Sequence, residues 1–300
     1  MILGDFDAED LIRVRRTNSV WDECTAAILH HRIRRLFGHS LNDYHSFVDA
    51  IDQYRAVLGG AGAVNVAFPA HWKPPFVELF VPNWSYDNLL AHLQNNQGFA
   101  QVPVPSTLPA SRPDGAAQTV HAVLDRSGDF AIYLVQSSDD CPLYALTGEW
   151  QSALFTYFSP RKFSIGYPSL TRASIALLNP CTMEDVTDLE LDRQAVTNAW
   201  HDMGWTLTPR WLTVSPGGTC SGIASAGCAA ASRFFGDRFC VSGSLRPVRL
   251  RKHREWAEEY DLETVLWWRG GRACTIICHS GTMMLAGGAR VCHRALLRGL

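Results

Sequence analysis

The sequence carries no excess of charge of either sign: Lys+Arg number 27, Asp+Glu number 29, and the formal net charge is −2 over 300 residues. A nucleic-acid-binding domain normally has a strong basic excess, so nucleic acid is not an expected partner. Basic runs do occur, at Arg13-Val14-Arg15-Arg16, at Arg32-Ile33-Arg34-Arg35 and over 249–254. With no matching shift in overall charge they read as solvated faces. Long hydrophobic runs are also missing. The longest uncharged stretch near the C-terminus, 273–289, is broken by His279, Ser280 and several glycines and threonines, and falls short of a bilayer-spanning helix. The first ten residues are acidic and lack the apolar core of a secretory signal. The expectation is no membrane contact and an intracellular location, cytoplasmic or nuclear. No internal repeat stands out, and there is no Gly-x-Ser-x-Gly nucleophile turn. Nine cysteines make an odd number, which argues against a fully paired disulfide framework.

What is present is an apolar fraction of 47%, enough for a sizeable core. Asp7 is placed to cap a helix whose first turn carries Glu9 and Asp10, acids that suit the positive end of the helix dipole. Trp21, Ile28, Leu29, Ile33 and Leu36 recur at helical spacing from Ser19 to Phe37, and Gly38 closes that helix. A third amphipathic helix is predicted from Leu41 to Tyr54. The pattern then changes to short apolar runs bounded by glycine and proline: a strand over 55–58, a Gly59-Gly60-Ala61-Gly62 turn into a helix ending near Phe68, a strand over 76–81 stopped by Pro82, and a helix from Ser85 to Asn95. Two further strands are predicted at Thr119–Asp125 and Asp129–Val135, joined at Ser127-Gly128. Residues 103–117, rich in Pro, Ser, Ala and Gly, read as a surface loop, and 214–244 read as loops or partly disordered chain. Alternating strands and helices make the class α/β (α+β), a small mixed sheet with helices. The predicted organisation is a helical unit over 1–40, a core over 41–180 and a cysteine-rich, partly irregular extension over 181–300.

The run Val57-Leu58-Gly59-Gly60, followed by a short helix and then Phe76-Val77-Glu78-Leu79-Phe80-Val81-Pro82, resembles the nucleotidyltransferase fold of the DNA polymerase β superfamily, and within it a group of fungal proteins. That family places a Gly-Gly or Gly-Ser turn at the start of a helix, an Asp-x-Asp pair on the next strand and a third Asp on a later strand. The resemblance implies that glycines let the backbone approach a triphosphate at the helix N-terminus. It also implies that the carboxylates hold two Mg²⁺ ions, which activate the attacking hydroxyl and neutralise the leaving phosphates. Matched residue by residue, Gly59 and Gly60 take the turn as nucleotide-binding candidates. Phe76 stands at the first acid position, Glu78 at the second, and the third falls near Tyr133. One acid of three is too few for two hard cations, so Mg²⁺ is not expected and Glu78 reads as a relic, not a catalyst.

The segment from Ile2 to Trp21 resembles the second half of an F-box, with Leu11, Val14 and Trp21 at the matching apolar positions. The resemblance implies docking on a Skp1-like partner and recruitment to a ubiquitin ligase. In the tail, Cys220, Cys228 and Cys240, with Cys274 and Cys278 beside His279, could together supply thiolate and imidazole for a tetrahedral Zn²⁺ site. Only the Cys274–Cys278 gap has ligand-like spacing, and free cysteines also serve as small buried apolar groups. The expected function is a non-catalytic binding or adaptor protein, an F-box-type substrate receptor with a degenerate nucleotidyltransferase-like domain. The alternatives are a divergent metal-dependent nucleotidyltransferase with a relocated acid at Asp125 or Asp129, and a zinc-stabilised protein of unknown role.

Overall fold

A computed structural model describes residues 5–69, 74, 76–103, 116–125, 127–179, 190–209, 225–246, 263–271 and 287–297. Helices α1 (Ala8–Arg15), α2 (Ser19–Phe37) and α3 (Tyr44–Gln53) come first. They are followed by β1 (Val57–Gly59), α4 (Gly60–Ala67), β2 (Phe76–Val81) and α5 (Tyr86–Asn95). The middle of the chain holds β3 (Ala100–Val102), β4 (Ala117–Leu124), β5 (Ala131–Ser137), α6 (Pro142–Leu146), β6 (Thr156–Phe158), β7 (Lys162–Ile165), α7 (Pro168–Arg172) and β8 (Ile175–Leu177). The remaining elements are α8 (Glu190–Asp202), β9 (Thr206–Thr208), β10 (Arg233–Phe234), β11 (Val241–Ser244), β12 (Glu263–Trp268) and β13 (Gly288–His293).

Local chemistry sets the helix ends. The Asp7 carboxylate accepts from the Asp10 amide at 2.9 Å, and Asn18 accepts from the Trp21 amide at 3.0 Å, so both leading helices begin on side-chain caps. Gly38 ends α2 at φ +57, a conformation that costs glycine little.

The main sheet has eight strands in the order β11-β7-β6-β1-β2-β5-β4-β3, every neighbour antiparallel except the parallel pair β2–β5. It is a mixed sheet within a mixed α/β fold, as the alternation of elements predicts. Two-residue alternation divides its faces. Val77, Leu79, Ile132 and Leu134 pack in a cluster with Leu11, Leu29, Phe37, Phe47 and Leu89 from the helices. Phe80, Val135 and Tyr157, on the other face, pack with Leu143 and Leu146 of α6 and with Val265 and Trp267 of β12. The antiparallel sheet β10-β12-β13 thus covers the second face. A third cluster joins Trp150, Trp200 and Trp205 with Val64 of α4.

Two expectations need revision. The sheet is larger than the small one foreseen, because 156–165 supply β6 and β7. The segment 214–244 also contains strands, β10 and β11, where irregular chain was expected, although its residues 214–224 lie outside those described. Composition hid β11 because a Ser-Gly-Ser strand has little apolar periodicity and takes its order from pairing with β7. Its glycine has a packing reason: a Cβ on Gly243 would lie 2.9 Å from the Phe163 ring, which is the close approach that strand glycines permit. Most of the loop predicted at 103–117 lies outside the described residues.

The first two helices belong to the same core as the sheet. Arg15 bonds to the Asp22 carboxylate and to the carbonyls of Ser244 and Arg246, and so fastens α1 and α2 to the end of β11. Both Arg15 and Asp22 side chains are nearly buried.

Candidate functional site

The turn between β1 and α4 faces β2. Gly59 pairs with Glu78 across the antiparallel β1–β2 contact, and Glu78 pairs with Tyr133 across the parallel β2–β5 contact. Alternation along β2 puts Phe76 and Glu78 on one face, the face that Tyr133 occupies on β5. The Phe76 and Tyr133 rings meet edge-to-face with centroids 4.6 Å apart, a favoured aromatic geometry. The four residues Gly60, Phe76, Glu78 and Tyr133 therefore form one cluster at the mouth of the turn.

Gly60 begins α4 at φ +59, and a Cβ placed on it would fall 1.7 Å from Glu78 Oε2. The carboxylate thus lies against the Gly60 backbone, at the positive end of the helix dipole. Burial and the neighbouring Glu78 charge together push the Tyr133 phenol above its ordinary value, so it stays protonated at neutral pH. Gly59 is closed for a different reason. A Cβ there would meet the Phe80 ring at 2.4 Å and Leu146 Cδ1 at 2.8 Å.

As metal donors these residues do not fit a two-ion site. The cluster offers one carboxylate, one protonated phenol and one phenyl ring, whereas Mg²⁺ demands near-octahedral oxygen ligands. Asp125, a candidate relocated acid, is engaged elsewhere: it accepts from Ser127 Oγ and from the amides of Asp129 and Phe130. Slight burial raises its pKa, but hydrogen bonds from Ser40, Ser127 and those amides outweigh this and leave it below the usual carboxylate range. Among the described residues no group of three or more His, Cys, Asp or Glu is placed to hold a metal ion.

Of the cysteines considered for zinc, Cys220, Cys274 and Cys278 lie outside the described residues. Cys228 is buried. Cys240 donates to the Phe234 carbonyl, and burial followed by the Asp237 charge pushes its thiol up to about 11, which opposes the thiolate form that a metal needs.

The three F-box-like positions do not share a surface. Leu11 is wholly buried among core residues and Val14 is half-buried, while Trp21 is 40% exposed beside Val20 at 62%. Leu11 is therefore closed to a partner in this fold. Its place on a helical stripe was readable, but a stripe does not say whether core or partner covers it.

Sequence reasoning missed a second feature. At the carboxyl ends of β2 and β5, the end of the sheet away from the glycine turn, a cleft of about 460 Å³ opens between Arg55, Trp84, Cys141, Tyr157 and Arg161. Arg161 makes a bidentate pair with Asp52, at 2.6 and 2.7 Å, across 109 positions of sequence. No local pattern could have announced that pairing. The one available signal was an exposed tryptophan just after a strand-ending proline.

Compared with family models, curated proteins and solved structures, the chain gives no match.

Proposed function

We propose that this chain is a non-catalytic binding protein built on a degenerate nucleotidyltransferase-like domain. The observation that carries the reading is the pair of rings, Phe76 and Tyr133, packed together beside Glu78 at the mouth of the Gly59-Gly60 turn, where the resembled family has three acids. Two-metal transfer needs several carboxylates to clamp both ions around the attacking and leaving oxygens. Glu78 alone does not supply them. Its carboxylate also occupies the start of α4, the space that a triphosphate would have to enter.

The test is a thermal-unfolding titration with Mg·ATP and Mg·GTP, together with an assay for nucleotide incorporation. A ligand that binds the folded state raises the midpoint by mass action. The expected result is no shift at millimolar nucleotide and no incorporation. A shift accompanied by incorporation that Glu78→Gln abolishes would establish the transferase instead.

The adaptor part of this reading rests on Val20 and Trp21, neighbouring apolar residues exposed on the first turn of α2. A Skp1-like partner is proposed to cover them. Trp21→Asp is expected to abolish co-purification with such a protein while leaving the fold intact. Co-purification that survives this change, or that never occurs with the unaltered chain, removes the adaptor role. Leu11→Asp is unsuitable as a probe, because a charge at that buried position unfolds the protein whatever the partner does.

A further inference from the structure

Strand β13 is the longest strand at a sheet edge among the described residues. It pairs with β12 through all six residues from Gly288 to His293, in continuous register, and among the described residues its other side pairs with no strand. The remaining edges are blunted. β3, β8 and β9 have three residues each, β10 has two, and at the end of β11 the Ser244 carbonyl is taken by Arg15. A long open edge presents a row of backbone N–H and C=O groups to which another extended chain can pair, and proteins commonly guard such rows with proline, bulges or several charges. β13 has no proline and no bulge, and Arg290 is its one arginine or lysine.

The two arginines of this edge are not used inside the chain. Arg290 is exposed, and Arg294, the first residue beyond β13, is half-buried; neither guanidinium makes an ion pair among the described residues. The Nε of Arg294 is buried with no hydrogen-bond partner. Its guanidinium lies against the Gly236 turn, where a Cβ would come within 3.4 Å of Nη1. The carboxylate next to that turn, Asp237, is already committed to Arg233 and to the amides of Phe239 and Cys240. Glu263 stands opposite His293, on the face of the sheet away from Arg290.

We propose that β13 is a docking edge for an extended acidic segment of another protein, which adds to the sheet as a fourth strand. Alternation sets the pattern that the segment carries. Arg290 lies on one face of the strand, while Ala289 and Val291 lie on the other and pack against the second core cluster. Acidic residues at alternate positions of the added strand meet Arg290, with Arg294 at the strand end, and apolar residues between them extend the face of Ala289 and Val291. A second copy of this chain is the wrong occupant, because pairing β13 with itself sets like charges against each other at Arg290. The proposal does not depend on the Gly60 cluster or on Val20 and Trp21.

The experiment is a fluorescence-anisotropy titration of the full chain against labelled acetyl-Glu-Val-Glu-Val-Glu-Val-amide. The comparison probes are the same peptide with Lys in place of Glu, and two forms of the acidic peptide N-methylated at alternate residues in the two possible phases. The acidic peptide is expected to bind saturably at millimolar protein or below, and the lysine peptide is not. One phase of N-methylation should abolish binding and the other leave it, because only alternate amides of an added strand face β13. Arg290→Gln/Arg294→Gln should weaken the acidic peptide about tenfold, as the joint loss of two partly exposed ion pairs gives, while circular dichroism stays that of the folded protein. No saturable binding of the acidic peptide, equal binding of the lysine peptide, equal effects of the two N-methylation phases, or undiminished binding by the folded double variant would each overturn the assignment.

Discussion

Replacing Asp237 by alanine is expected to destabilise the protein by about 3–5 kcal/mol, the cost of leaving one partner of a buried ion pair uncompensated. Arg233 is 1% exposed, and its guanidinium lies near the rings of Tyr167, Phe239 and Trp267. It donates to the Gly166 carbonyl at 2.7 Å and to the Ala226 carbonyl at 3.2 Å, so it fastens the second sheet to the end of β7. Burial alone would pull the guanidinium down, but Tyr167, Asp237 and Cys240 outweigh it and hold the group above the ordinary arginine value. Asp237 also accepts from the amides of Phe234, Phe239 and Cys240, which form the turn after β10. Alanine removes the counter-charge and the carboxylate acceptor of these amides in one step, although the Cys240 amide keeps its bond to the backbone carbonyl of residue 237 at 3.1 Å. The double change Arg233→Met/Asp237→Leu takes out both charges and fills the space. It still forfeits the bonds to the Gly166 and Ala226 carbonyls and to the turn amides, but it leaves no uncompensated buried cation and should cost less than the single one. Urea unfolding of the three proteins reads the difference. A loss below about 1 kcal/mol for Asp237→Ala would class the pair with ordinary surface ion pairs and refute the buried-cation account.

Much of the helical half was legible in the sequence because its signals are local. Asp7 with Glu9 and Asp10, and Gly38 after the apolar stripe, fix helix ends through contacts within one turn. Strand β2 was legible too, between a proline-broken approach and Pro82. The sheet edges were not. Strand β11 owes its order to backbone pairing with β7, and the Arg15 contacts that hold α1 against it span more than 220 positions. At the glycine turn the residue types could be read one by one, but not that the Glu78 carboxylate would settle on Gly60 itself. That depends on the β1–β2 register and on the entry of α4. The cleft was invisible for the same reason: Asp52, Trp84, Cys141 and Arg161 come together only when the strand ends do.

Gly60→Val is the change that tests the cluster most severely, with an expected loss of about 2–5 kcal/mol. About 1–2 kcal/mol of this comes from forcing an L-residue into a left-handed conformation, and about 1–3 kcal/mol from overpacking against Glu78. At φ +59 a β-branched side chain is strained even in open space, and here the space is filled: Oε2, Cδ and Cγ of Glu78 lie 1.7, 2.8 and 3.4 Å from the Cβ position. The two parts can be separated. In Gly60→Val/Glu78→Ala the obstructing carboxylate is gone, so the overpacking should be relieved and the conformational strain retained. The double mutant should then be less destabilised than the sum of the singles, by an interaction energy on the order of 1 kcal/mol, as expected for residues in contact. Chemical denaturation of the cycle measures it, and strict additivity would mean that Glu78 does not occupy the turn. If the coupling is found, glycine at position 60 is required by the protein's own acid, and its presence is no evidence that a phosphate ever enters.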